Sequence, residues 1–102
     1  MLGRGLKFQD IHSKMKDYLI IDIRHLEDFQ QSHIQDAICV RDIKRIGYIA
    51  KEHSDKKILL YCYHGNTARI YTETLLYDGI KNVYFLKENI EEFDSLGIPM
   101  EQ

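Results

Sequence analysis

A chain of 102 residues with 44% hydrophobic content fills one core and excludes two full domains, so residues 1–102 are read as a single domain. Fourteen Lys and Arg against sixteen Asp and Glu, interspersed to a net charge of −2, leave no basic stripe for a phosphate backbone and argue against nucleic acid as a ligand. The apolar run at residues 58–62 falls far short of the roughly 20 residues needed to cross a bilayer, and residues 1–7 lack the apolar stretch of a secretory signal, so the expectation is a cytoplasmic protein without a membrane partner.

In chain order, residues 6–8 predict a weak edge strand and residues 11–16 a short helix. The run Tyr18-Leu19-Ile20-Ile21, ending at Asp22, predicts a buried central strand. A short helix is expected over residues 26–32, then a strand at Ala37-Ile38-Cys39-Val40. Ile43, Ile46, Gly47 and Ala50 recur at i, i+3, i+4 and i+7, the spacing of an amphipathic helix that starts at Asp42. Lys57-Ile58-Leu59-Leu60-Tyr61 predicts a second central strand, ending at Cys62. Ala68, Tyr71, Thr72, Leu75 and Leu76 return to helical spacing, with Gly79 as the stop. Val83-Tyr84-Phe85-Leu86 predicts a third buried strand, and a last helix over residues 90–96 is ended by Gly97 and Pro99. Apolar runs alternating with helical periodicity give an α/β class, a mostly parallel sheet of about five strands between helices on both faces.

The chemistry points to the segment between the second central strand and its helix, Cys62-Tyr63-His64-Gly65-Asn66-Thr67. A cysteine at the carboxyl end of a buried strand stands where open α/β sheets form ligand crevices. Backbone N–H groups of such a loop converge on one point, and the following helix aims the positive end of its dipole there, which favours an anion and a thiolate. Gly65 supplies a backbone conformation that a side chain would obstruct, and Thr67 or Asn66 is expected to cap the helix. His64 and Arg69 are candidates to donate to a bound anion.

Free cysteine is more often packing than nucleophile, and Cys39, inside an apolar strand without a glycine loop, is read that way. Cys39 and Cys62 have no Cys or His at metal-ligand spacing nearby, so no zinc site is expected. Spacing leaves a disulfide open, whereas a reducing compartment favours two free thiols. His33 is read as a structural histidine, and His12, His25 and His53 as surface residues.

Residues 61–69, Tyr61-Cys62-Tyr63-His64-Gly65-Asn66-Thr67-Ala68-Arg69, resemble the active-site loop of single-domain rhodaneses, particularly the GlpE type of thiosulfate sulfurtransferase. Ile21-Asp22-Ile23-Arg24, Glu27, Phe29, His33-Ile34 and Ala37 are similar to the first family signature, and Gly79 to Tyr84 with Leu96-Gly97-Ile98-Pro99 to its closing segment, a likeness over roughly residues 6–100. The chain departs from the family at Gln35-Asp36, where Pro-Gly is usual, and at Glu88-Asn89, where Gly-Gly is usual, with Phe93 in place of Trp. A reshaped turn and an altered site rim are the expectations there, since Glu is poorly suited to positive φ.

The resemblance implies a rhodanese-like three-layer sandwich and a sulfurtransferase needing no metal or organic cofactor. Cys62 is then the nucleophile that carries a persulfide. Tyr63, His64, Gly65, Asn66, Thr67, Ala68 and Arg69 are the implied substrate-binding residues. Thiosulfate is the implied donor, and cyanide, a thiol or a protein cysteine the acceptor. Two alternatives remain open: a partner-binding or sulfur-relay module, and a phosphatase or arsenate reductase. The latter class places Arg after Cys and five residues, a position held here by Ala68.

Overall fold

In a computed structural model residues 3–102 are described. The reading of the N-terminus rests partly on Met1 and Leu2, which lie outside them. The elements are β1 (Gly5–Leu6), α1 (Phe8–Ile11) running into 3-10 turns (His12–Asp17), β2 (Tyr18–Asp22), α2 (Leu26–Gln31), β3 (His33–Ile34), β4 (Ile38–Cys39), α3 (Ile43–Glu52), β5 (Lys57–Tyr61), α4 (Asn66–Tyr77), β6 (Val83–Leu86), a 3-10 turn (Ile90–Glu92), α5 (Phe93–Leu96) and β7 (Met100–Glu101).

The main sheet has the order β1-β6-β5-β2-β4, and all four of its pairings are parallel. Central β5 and β2 read as near-continuous apolar runs because helices cover both faces. Side chains alternate along β5. Ile58 and Leu60 join Ile46, Ala50, Ala68 and Leu75 from α3 and α4 in one core, while Leu59 and Tyr61 join Phe8, Ile11, Ile34 and Phe93 in the other. The next residue, Cys62, returns to the α3–α4 side and belongs to that first core.

The three predicted buried strands and the α3 start are observed, with Asp42 accepting from the Lys44 amide as N-cap. Gly79, at φ 91°, closes α4 as expected, with amides of Gly79 and Ile80 donating back to Leu76 and Leu75. Other boundaries moved. The edge strand is Gly5–Leu6, and Phe8, expected in it, begins α1 because its side chain is buried in the second core. The strand expected over residues 37–40 shrinks to Ile38–Cys39, and the last helix splits into a 3-10 turn and α5.

A small antiparallel ribbon, β3 with β7, was not anticipated; it pairs His33 with Glu101 and Ile34 with Met100. His33 is structural, as expected: Nδ1 lies 2.7 Å from the Phe29 carbonyl, Nε2 lies 3.2 Å from Glu101, and its ring stacks on Phe29 at 3.8 Å. Beside it, Ile34-Gln35-Asp36-Ala37 keeps a tight turn, the Ala37 amide donating to Ile34 O at 2.9 Å. The turn is therefore not opened by losing Pro-Gly; instead Asp36 is held at φ 69°.

Candidate site at the carboxyl end of the central strand

Parallel pairing brings the carboxyl ends of β5, β2 and β4 to one edge, and Cys62 leaves β5 there. The residue is 5% exposed. Its sulfur nevertheless faces backbone polarity, since the Ala68 amide in the first turn of α4 lies 3.3 Å from Sγ. Between them the loop bends at Gly65, with φ 85°. A Cβ at Gly65 would stand 3.1 Å from Lys87 O and 3.3 Å from Leu86 O, so glycine is required by conformation and by space.

Gly65, rather than Thr67 or Asn66, is the N-cap, and no side chain caps α4. This corrects the expected cap. Both side chains are exposed, and positive φ at Gly65 lets the backbone make the bend alone. Among the described residues no acceptor meets the amides of His64, Gly65, Asn66 and Thr67, whereas Arg69 N donates to Gly65 O. Free amides and the amino end of a helix twelve residues long together favour negative charge beside Cys62.

The loop is held from two sides. Ile90 N donates to Tyr63 O at 2.7 Å, and the Tyr63 hydroxyl donates to the Asp28 carboxylate of α2. That hydrogen bond, foremost, pushes the Tyr63 hydroxyl above its ordinary pKa. His64 is exposed, its Nδ1 3.7 Å from Glu91, and Arg69 pairs with Glu73 one turn along α4 at 3.2 Å. Arg69 therefore spends its charge on its own helix, and the structure does not bring it to the sulfur.

Beneath the loop lies a polar network that sequence reading quoted only as part of a signature. Arg24 Nε and Nη2 grip both oxygens of Asp22 at 2.7–3.1 Å, and Nη2 also donates to Ser32 O at 2.6 Å. Burial opposes the guanidinium charge, but the bonds and charge of Asp22 outweigh it and raise the Arg24 pKa. Tyr61 accepts from the Ile34 amide at 3.0 Å, and burial together with Asp22 pushes its hydroxyl far up. The guanidinium carbon stands 5.7 and 5.8 Å from the ring centres of Tyr61 and Tyr63. An acid and a base two positions apart just after an apolar strand was the available signal; nothing in sequence pointed to Asp28.

Cys39 pairs with Asp22, which in turn pairs with Tyr61, so all three point to one face and Cys62 to the other. Both thiols are free. Cys39 is half-buried rather than inside the apolar core, and its Sγ lies 3.7 Å from Arg24 O. Burial, then the nearby Asp22 charge, pushes its thiol up. Residues 35–36 hold the turn described above, and Glu88 accepts from the Phe8 amide at 3.1 Å. Asn89 is extended at φ −77° and ψ 147°, so the Glu88-Asn89 segment borders the loop without needing positive φ.

Comparison with known proteins agrees with this geometry. Residues 8–96 match the rhodanese-like domain family. Thiosulfate sulfurtransferase GlpE of Coxiella burnetii is 33% identical over 73 residues, covering 72% of this chain and 68% of that protein. The tRNA uridine(34) hydroxylase of Hamiltonella defensa is 29% identical over 99 residues, but this chain spans only 28% of it. A rhodanese-related protein of Thermoplasma volcanium shares the fold with a TM-score of 0.79 at 24% identity, over 96% of this chain and 97% of that one. An α/β chain with a parallel five-stranded sheet, matched over nearly its whole length, thus belongs to the rhodanese-like domain family, which includes sulfurtransferases.

Proposed function

We propose that the protein is a sulfurtransferase that moves sulfane sulfur from thiosulfate, or a donor like it, to a thiophilic acceptor through a persulfide on Cys62. The observation that carries this reading is the Ala68 amide 3.3 Å from Cys62 Sγ, beside loop amides with no partner among the described residues. Such an arrangement stabilises anionic sulfur without a metal.

In the proposed cycle the Cys62 thiolate attacks the outer sulfur of thiosulfate. Its S–S bond breaks, sulfite leaves with the bonding pair, and the persulfide remains. An acceptor thiolate or cyanide then attacks the terminal sulfur and returns the thiolate. Tyr63, His64, Gly65, Asn66, Thr67 and Ala68 supply the surrounding backbone. Arg69, paired to Glu73, contributes through the helix rather than by direct contact. That pairing also weighs against a phosphatase, which needs an arginine aimed into the loop.

Mass spectrometry of the protein after incubation with thiosulfate, followed by peptide mapping, tests the reading. One sulfur atom gained on the Cys62 peptide supports it; an unmodified Cys62 favours the partner-binding module instead.

A further inference from the structure

The amino-terminal ends of the strands, at the opposite pole from Cys62, carry a concentration of lysines. A cleft of about 570 Å³ lies between the end of α3, the following loop and the turn before β6, with Ile80 and Tyr84 among its walls. Four lysines line it, Lys51, Lys56, Lys57 and Lys81, against one acid, Asp55, in a chain whose net charge is −2. Among the described residues none of the four is ion-paired.

The cleft has a fixed frame. Asn82 Nδ2 lies 3.0, 3.1 and 2.9 Å from the carbonyl oxygens of Ala50, His53 and Lys56, tying the lysine-bearing loop to the strand edge. Arg4 donates to Lys81 O at 2.6 Å on the other side. Lys56 also lines a second cleft of about 680 Å³, whose lining includes Lys16 and His12 together with one acid, Asp36. The two hollows share Lys56, an arrangement that suits an extended ligand better than a compact one.

We propose that this pole binds an extended acidic segment of a partner protein, with its carboxylates over Lys51, Lys56, Lys57 and Lys81. Lysines are compact point charges that accept carboxylates in many geometries. A single-stranded nucleic acid fits less well, because its bases stack on open aromatic faces. Here Lys57 Nζ stands 5.8 and 5.9 Å from the Tyr18 and Tyr84 ring centres, and Arg4 covers Tyr84 at 4.7 Å. The sheet separates this surface from Cys62 by the five residues of β5, roughly 15 Å, so a docked partner leaves the cysteine loop open.

An amide-resolved NMR titration with a short oligoglutamate peptide tests the proposal. Shifts concentrated at residues 54–57 and 79–82, fading with added salt, are expected. Lys51→Glu/Lys81→Glu should weaken binding about tenfold or more, with Lys51→Gln/Lys81→Gln as a milder second variant and thermal unfolding as the check on folding. Sulfur transfer from thiosulfate, where measurable in the parent protein, should be unchanged in both variants. Absent or scattered shifts, shifts centred on the Cys62 loop, or undiminished binding by the folded variants would overturn the proposal. So would tighter binding of pyrophosphate or single-stranded RNA at the same residues.

Discussion

The guanidinium of Arg24 and the carboxylate of Asp22, two positions apart and both buried, form a two-pronged ion pair directly under the cysteine loop. Truncation of one partner strands the other charge in the interior. Asp22→Ala should cost about 3–5 kcal/mol, read as a lowered midpoint in urea. An unchanged midpoint would mean that water reaches Arg24.

Cys62→Ser should reduce sulfur transfer to background while unfolding as the parent does, since the exchange is close in shape. Cys39→Ser should leave transfer largely intact, because its side chain points to the other face of the sheet. Equal loss in both variants would call for a mechanism using two thiols.

Cys39 also gives a pH signature. With its thiol pushed up by burial and Asp22, the neutral form is favoured in the fold. In the Cys62→Ser protein, iodoacetamide labelling of Cys39 should keep accelerating at a pH where a free model thiol has levelled off. The contribution to stability is whole below the unfolded thiol pKa and is lost as pH rises through the higher folded value. A plateau matching the model thiol contradicts this.

Gly65→Ala forces a side chain into φ 85° and against two carbonyl oxygens. A loss of about 1–3 kcal/mol in stability is expected, with a larger proportional loss of sulfur transfer because the loop itself shifts. Parent-like turnover would show that the bend is dispensable.

Asp36→Gly should do the reverse. Relief of φ 69° in a non-glycine residue outweighs the extra freedom of the unfolded chain, giving about 0.5 kcal/mol of stabilisation and a thermal midpoint about 2–4 °C higher. A calorimetric scan decides it.

Much of the fold was legible because β2, β5 and β6 are apolar runs covered on both sides, and because α3 and α4 keep helical spacing against them. The short elements were not. A strand of two residues, such as His33–Ile34, carries no alternation to read, and its partner Met100–Glu101 is distant in sequence. At the site, Cys62 and Gly65 stood out through residue type and position. The contact of Tyr63 with Asp28, the diversion of Arg69 to Glu73 and the backbone cap at Gly65 depend on where helices meet, which local pattern does not encode. The family's Gly-Gly position misled for a related reason: Glu88 finds a backbone amide to bind, so the segment takes a conformation open to any residue.

The ribbon of β3 and β7 joins residues 68 positions apart, His33 and Glu101, through only two residue pairs. So long a closure with so short a ladder is entropically dear. Its pairing belongs at the end of the folding order and at the start of unfolding, and the amide hydrogens of Met100 and Glu101 should exchange with deuterium well before those of β5 and of Ile34, which Tyr61 anchors.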